Sequence, residues 1–519
     1  MNAPSLAVST PIAPASRPAP SLEVINLTKR FGSFTALEDA MLKVEPGEFH
    51  ALLGENGAGK STFVKCVIGY EAPTSGDIVY DGIQVHFDGT RDAHAAGIGM
   101  VYQHFTLVPN MTVAENLVLV REVVPSVIDW KKEISELSDF MDQQPFQVPL
   151  KTPVRSLSAG QKQKLEILKQ LYLNRRFLFL DEPTSVLTPG EADEVLGLLY
   201  EKTRRKELSI VIITHKFREV TGFCDAVTVL RRGRYAGTGR VSELTTDEMA
   251  GMMIGQDKLT EAAPRNPDVA RTPKLVIADL HANDDLGEPM IEGLSLTVHS
   301  GEIVGIAGVS GNGQLQLVEC LAGQRPIEGG SISVASKAYQ PTRKEIREAG
   351  VRIIPEVPLA NACAPDMSVS DNMALSDFDV SPIAKLGTFV SRGAIRDKAR
   401  RLIAGFSVKT PSPKSPIRNL SGGNVQRAVL ARELSDPCEV LVTSNPCFGL
   451  DFMATADIRA RIIDSRNGGA AVLLVSSDLD ELLEVSDRLC VMFDGRIVYE
   501  IPTADADVTT IGKHMAGHA

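Results

Sequence analysis

The sequence predicts an α/β protein in which one layered unit is built twice in tandem. Three observations predict it. Apolar runs of strand length alternate with helix-period segments, the order a layered α/β fold produces. A glycine-rich loop stands between one such run and one such helix, at residues 54–61. The two halves also repeat each other. GEFHALLGENGAGKSTFVKCVIG from 47 matches GEIVGIAGVSGNGQLQLVECLAG from 301, 254 positions on, and SLSAGQKQKLEILKQL from 156 matches NLSGGNVQRAVLAREL from 419, 263 positions on. The offset grows by 263 − 254 = 9, so the second copy carries a small insertion between its glycine loop and its LSGGN segment.

Taken in order, residues 1–20 (MNAPSLAVSTPIAPASRPAP) lack the basic and apolar regions of a secretory signal and read as a disordered tail. The first unit follows over 21–257. Residues 22–48 and 226–240 alternate with turn residues, as antiparallel flanking strands do. FHALLG, FLFLD at 177–181 and SIVIIT at 209–214 are near-continuous apolar runs, the pattern of strands covered on both faces. Residues 105–175, with Trp130 and a polar helical stretch, read as an inserted helical lobe. Residues 258–273 (KLTEAAPRNPDVARTP) hold three prolines and no apolar period, which makes them a linker. The second unit takes 274–512, and 513–519 are a tail.

The length of 519 residues accommodates two large cores. A hydrophobic share of 43% with a charged share of 23% describes an ordinary globular chain, and no window supplies the roughly 18 consecutive apolar residues of a spanning helix. A net charge of −11 lacks the basic excess of a nucleic-acid binder. Cysteines 66, 224, 320, 363, 438, 447 and 490 form no CxxC pair, which argues against a zinc ribbon or a disulfide framework and fits a reducing cytosol.

Gly54-Glu55-Asn56-Gly57-Ala58-Gly59-Lys60-Ser61 is a complete G-x-x-x-x-G-K-[ST] motif. Its glycines let backbone N–H groups turn inward around phosphates, and the following helix aims its positive end there. Lys60 would reach the β- and γ-phosphates, and the Ser61 hydroxyl would bind Mg²⁺. FLFL followed by Asp181-Glu182 ends a buried strand in two carboxylates; Asp181 would hold Mg²⁺ and Glu182 would act as general base on the attacking water. The strings at 157–161 and 420–424 open helices with a serine hydroxyl and glycine amides, which suits an N-cap or an anion contact.

The order GENGAGKST, VYQ, LSAGQ, FLFLDEPTS, ITH resembles an ATP-binding cassette ATPase, twice over from about 22 to 511. The resemblance implies two tandem P-loop NTPase cassettes, each a RecA-like core with an antiparallel β subdomain and an inserted helical lobe. It implies that residues 54–61 and Thr62 bind ATP, that Gln103 senses Mg²⁺ and links the site to a membrane partner, and that His215 touches the γ-phosphate. Phe31 stands where the family places an aromatic on the adenine ring, and a core phenylalanine fits that position as well.

The second copy departs from the pattern at each catalytic point: Gln314 and Leu315 replace Lys60 and Ser61, Ser444 and Asn445 replace Asp181 and Glu182, Glu356 replaces Gln103, and Ser477 replaces His215. Its LSGGN is intact. In the family this signature completes the nucleotide site of the opposite cassette. One composite site is therefore expected, with the first copy's phosphate loop and carboxylates closed by Ser421, Gly422, Gly423 and Asn424.

Tandem cassettes with a degenerate second half resemble the ATPase subunit of bacterial importers for simple sugars. QHFTLVPNMTVAENLVL, LEILKQLYLNRRFLFLDEPTSVLTP and NPCFGLD are closest to the nucleoside branch; the sugar branch typically reads QEL where this chain has Gln103-His104-Phe105. This implies two integral-membrane permease subunits as partners, a periplasmic or lipoprotein substrate-binding protein reached through them, and a peripheral place on the cytoplasmic side of the inner membrane. It also implies no nucleic acid and no direct contact with the transported molecule. A soluble tandem-cassette ATPase acting on ribosomes is the alternative; such factors usually keep both sites and a long basic linker. The basic clusters at 204–206 and 231–234 read as solvated surface. Trp130 reads as packing in the helical lobe, and Cys66 and Cys320, 254 apart, as buried core residues.

Overall fold

The computed structural model describes residues 18–517 apart from 122, 215, 256–262, 268, 310, 386–388, 449 and 451. His215, the first 17 residues of the expected tail, part of the expected linker and the last two residues lie outside the described residues. The chain divides near residue 256 into two compact units.

In the first unit, near-continuous apolar runs produce strands buried on both faces. Phe49–Leu53 and Ser209–Ile213 are buried at every residue, and Phe177–Asp181 at all but the last. They pair in parallel, Phe49 with Ile210 and Phe177 with Ser209, with Ile98–Val101 beyond (Ile98 with Phe177) and Ala226–Arg231 on the other side (His50 with Ala226). Arg234–Arg240 runs antiparallel to Ala226–Arg231, and one bridge from Arg234 to Glu38 joins this sheet to the antiparallel strands Leu22–Phe31, Phe34–Val44, Ser75–Tyr80 and Ile83–Val85. Phe63, Val64 and Val67 of the helix Lys60–Val67 share one core with Leu52, Phe177 and Phe179.

Between Val101 and Phe177 the chain forms the helices Val113–Leu119, Trp130–Met141 and Ala159–Tyr172. Each starts at a side-chain cap: Thr112 with Glu115, Asp129, and Ser158 with Gln161. Trp130 corrects the expectation of a packed residue. It opens its helix and is 37% exposed, while Leu137 and Met141 bury the helix.

The second unit repeats the plan. Its parallel strands Val351–Ile354, Val440–Ser444, Ala471–Val475, Glu302–Ala307 and Arg488–Phe493 lie side by side in that order, with Arg496–Pro502 antiparallel at the edge. Pro273–Asn283, Pro289–His299, Gly329–Val334 and Lys337–Ala338 form a separate antiparallel sheet. Cys66 and Cys320 occupy the equivalent helices and are both buried, and burial pushes each thiol up to about 11.

A buried asparagine marks the equivalence of the helical segments. Asn116 accepts from the Val108 amide and donates to the Val108 and Thr112 carbonyls; Asn372, 372 − 116 = 256 positions on, treats Ala364 and Ser368 the same way. The prolines bridged to Thr112 and Ser368 are Pro153 and Pro416, 263 apart. Thus 263 − 256 = 7 of the nine extra residues fall between 372 and 416, where the second unit forms the short hairpin Ala384–Lys385 and Phe389–Val390.

Three expected boundaries look different in the fold. Residues 18–20 are docked on the first unit: Ala19 is buried and its amide donates to the Lys206 carbonyl, while Ser209 Oγ donates to the Pro20 carbonyl. Residues 264–266 are held by the second unit, Arg265 pairing with Asp487 at 2.8 Å and donating to the Val485 and Ser486 carbonyls. The helix Val508–Met515 carries the second unit past 512, because Ile511 and Met515, one turn apart, are both buried and His514 stacks on Tyr499.

Replacing Asn116 by Ala strands a buried amide and its carbonyl partners, a loss of about 1–3 kcal/mol. A lower urea midpoint is expected for Asn116→Ala, and an unchanged midpoint would show that the asparagine does not hold this segment.

Candidate active site

The glycine loop leaves the buried strand Phe49–Leu53 and enters the helix Lys60–Val67. Gly54, Gly57 and Gly59 all have positive φ (151°, 81° and 98°), and a Cβ on Gly54 would collide with the Leu230 carbonyl oxygen. Only glycine fits that close approach. Lys60 Nζ donates to the Gly54 carbonyl at 2.6 Å and the Glu55 carbonyl at 3.0 Å, arching over the loop. Burial lowers the Lys60 pKa, opposed by Glu182, Asp181 and Glu55. Ser61 is exposed and Thr62 half-buried in the first turn of the helix, and Asn56 is exposed on the loop while Ala58 packs into the core.

Asp181 ends its strand, paired with Ile213, and Glu182 follows at φ 47°, its N–H donating to the Ile213 carbonyl at 2.9 Å. A left-handed glutamate is strained backbone, which the sheet edge must hold in place. Burial, and then the neighbouring Glu182, push the Asp181 carboxyl up to about 6, with Lys60 opposing them. Gln103, just beyond the strand Ile98–Val101, donates from Nε2 to Glu182 Oε2 at 3.0 Å. The structure therefore gathers Lys60, Gln103, Asp181 and Glu182 into one charged cluster. The cradle of glycine amides, the cation, the hydroxyl of Ser61 and the carboxylate of Asp181 form a donor set that fits a nucleotide phosphate with its Mg²⁺.

Phe31 is 45% exposed at the end of Leu22–Phe31, with Lys29 Nζ 4.8 Å from its ring centre, so it is not a core residue. Its register partner Phe34 is 66% exposed and escaped the sequence reading, although both flank the turn of one hairpin.

The two signature strings differ. Ser158 caps the helix Ala159–Tyr172 by accepting from the Gln161 amide at 3.2 Å. Ser421 precedes the helix Gly422–Glu433 with no such cap; its Oγ accepts instead from Asn424 Nδ2 at 2.8 Å, and Gly422 and Gly423 form the first turn. Of the two readings, N-cap or anion contact, Ser158 is an N-cap, and the Ser421 hydroxyl makes no bond to its helix's backbone amides.

In the second unit the equivalent loop keeps its backbone and loses its charges. Gly311 and Gly313 have φ of 100° and 101°, and buried Gln314 donates to the Val309 carbonyl at 3.2 Å, as Lys60 does to Glu55. Asn445 keeps the left-handed backbone of Glu182, φ 44°, and its Oδ1 accepts from the N–H (2.8 Å) and hydroxyl (3.2 Å) of Ser477. Serine and asparagine thus satisfy each other where the first unit sets out its carboxylates.

Residues 37–185 and 291–447 each match the ABC transporter family. This chain belongs to that family. It is an ABC ATPase with two cassettes, and it is similar along nearly its whole length to the nucleoside import ATP-binding protein NupA of Lactococcus lactis, 38% identical over 96% of this chain and 98% of that one. The glucose import ATP-binding protein TsgD13 of Haloferax volcanii is 37% identical over 96% of each. Among solved structures, archaeal ribosome recycling factor aABCE1 shares the fold, with a TM-score of 0.61 over 92% of this chain and 90% of that one at 19% identity. As an import-type ABC ATPase the chain works with membrane permease partners. No helix among the described residues is long and apolar enough to cross a membrane.

A carboxyl whose folded pKa, about 6, lies above its ordinary value of 3.8 favours the fold when protonated; that contribution is complete below pH 3.8 and is lost as pH rises through 6. In Mg²⁺-free, nucleotide-free buffer, Asp181→Asn should raise Tm at pH 7.5 by about 2–4 °C, the shift that roughly 1 kcal/mol gives a domain of 150–250 residues. The gain should vanish towards pH 4, and a difference independent of pH would contradict the shift.

Proposed function

We propose that the chain is the energy-coupling ATPase of a nucleoside importer, working through one competent nucleotide site. The observation that carries this reading is the cluster of Lys60, Gln103, Asp181 and Glu182 in the first cassette, set against Gln314, Glu356, Ser444 and Asn445 in the second. The phosphate loop, residues 54–62, holds ATP, with Phe31 offered to the adenine. Ser61, Asp181 and Gln103 hold Mg²⁺, which when bound neutralises phosphate charge. Glu182 takes the proton of the attacking water, and His215 meets the γ-phosphate. Ser421, Gly422 and Gly423 of the intact second signature are assigned to ATP hydrolysis as well.

Identity alone divides evenly between a nucleoside importer and a glucose importer, at 38% and 37%. The Gln103-His104-Phe105 string favours the nucleoside branch over one reading QEL. Two permease subunits and, through them, a substrate-binding protein complete the assembly, with this chain peripheral on the cytoplasmic face. A ribosome-acting ATPase finds support only in the likeness of fold to aABCE1.

Glu182→Gln should bind Mg²⁺-ATP and lose about 10²- to 10⁴-fold in turnover, the usual contribution of a general base. In vesicles carrying the chain with its permease subunits and binding protein, this variant should stop nucleoside uptake. Full ATPase activity would refute the base, and uptake of a pentose instead of a nucleoside by the wild type would refute the substrate.

Ser421→Arg should abolish hydrolysis while ATP still binds the first phosphate loop, because donors to developing phosphate charge act mainly in the transition state. Ser158→Arg, in the first signature, should cost much less. Equal losses from the two substitutions would overturn the assignment of a single competent site.

A further inference from the structure

The segment that carries Gln103 is clamped at both ends. On one side Val101 pairs with Leu180, the residue before Asp181. On the other, Thr106 is seized by a buried carboxylate: the Glu166 side chain accepts from the Thr106 amide and from its hydroxyl, at 2.9 Å to Oε1 and 3.1 Å to Oε2. Lys169, one turn further along the helix Ala159–Tyr172, pairs with Glu166 and donates to Thr106 Oγ1 at 2.6 Å. Glu166 and Lys169 are both buried. Only residues 102–105 lie between the clamps Val101 and Thr106, which stand at most about 17 Å apart when fully extended, so the far clamp limits where Gln103 can stand relative to Glu182.

A buried ion pair is a poor device for stability, because an apolar replacement of similar volume usually does as well. The second copy keeps a buried ion pair here, Arg432 with Glu433, but turns it elsewhere. At the offset of 256 set by the paired asparagines, Thr106 corresponds to Ala362; at the offset of 263, Glu166 corresponds to buried Val429 and Lys169 to Arg432. Arg432 still ties its helix to this segment, donating to the Ala362 carbonyl at 2.8 Å, but its partner Glu433 accepts from the Ser376 hydroxyl, and the Ala362 amide donates to the Pro358 carbonyl. The same fold is made without the carboxylate grip, and the copy that lacks it is the copy without the carboxylate pair.

We propose that Thr106, Glu166 and Lys169 form a strut that positions Gln103 against Glu182, so that they govern ATP turnover without touching nucleotide. This rests on the reading of Gln103 and Glu182 as active-site residues. Thr106 and Glu166 are positioning residues, and the strut joins the glutamine segment to the helix opened by Ser158.

A double-mutant cycle on the full chain, followed by steady-state ATPase assays, tests it. Thr106→Val should lower kcat by about 5- to 50-fold, within the loss that a misplacement of about 1 Å can cause, with KM for Mg²⁺-ATP changed by less than about twofold. Thr106→Ser, which keeps the hydroxyl, should restore turnover. In a Gln103→Ala background, Thr106→Val should cause no further loss. Independent, multiplying losses would overturn the strut while leaving the role of Gln103 intact. Unchanged kcat in Thr106→Val, or equal damage from Thr106→Ser, would overturn it too. Unchanged turnover in Gln103→Ala alone would overturn the reading of Gln103 and the strut with it. Should Thr106→Val not fold, Glu166→Gln carries the same cycle, with the same outcomes.

Discussion

Ending a fully buried strand in two carboxylates sets the terms for everything around it in the first cassette. Asp181 is pushed up to about 6 because water is excluded from it and because Glu182 stands beside it. Two like charges in such a place are tolerated only where cations and donors converge, and Lys60 and Gln103 supply them within the described residues. The glycine loop answers the same demand from the other direction, since the amides of a left-handed turn are fixed partial positive charges. The strand also has to deliver Glu182 in a left-handed conformation, which its amide bond to Ile213 secures. A site of this kind is an electrostatic arrangement that fits a nucleotide polyphosphate.

The second cassette shows which parts of that arrangement belong to the fold and which to the chemistry. Its loop glycines hold the same positive φ, its Gln314 copies the reach of Lys60 with a neutral group, and Asn445 copies the backbone of Glu182. Asparagine enters the left-handed region at less cost than glutamate, so the conformation persists after its chemical reason has gone. With Ser444 and Asn445 in place of Asp181 and Glu182, the carboxylate pair is gone, and the asparagine oxygen turns to Ser477. Sequence divergence of this type leaves sheet and helix intact because the core residues, not the loop charges, carry the burial.

Much of this was legible in the sequence for identifiable reasons. Strands buried on both faces announce themselves as unbroken apolar runs, and a phosphate loop needs its glycines at fixed positions. The duplication then located the second cassette and its lost charges. What escaped depends on partners distant in sequence. Whether Phe31 lies inside or outside is decided by how one hairpin twists relative to the sheet, and alternation alone allowed both. Trp130 sits at a helix start, where a side chain can face outward whatever its apolar character. Residues 18–20 and 264–266 look like tail and linker by composition, but are held by Lys206, Ser209 and Asp487, none of which a composition shift can announce.

The buried glutamate of the signature helix illustrates the deeper limit. Glu166 sits in an amphipathic helical stretch, where a charged residue reads as surface by default; its burial follows only from a contact sixty positions away. The internal repeat did hold a usable clue, because one copy places glutamate where the other places valine on the same buried face. A buried carboxylate turned on Thr106, where the other copy pairs its buried cation with Glu433 instead, calls for an explanation other than stability. In this chain the explanation we propose lies three residues from Thr106, at the glutamine that donates to Glu182.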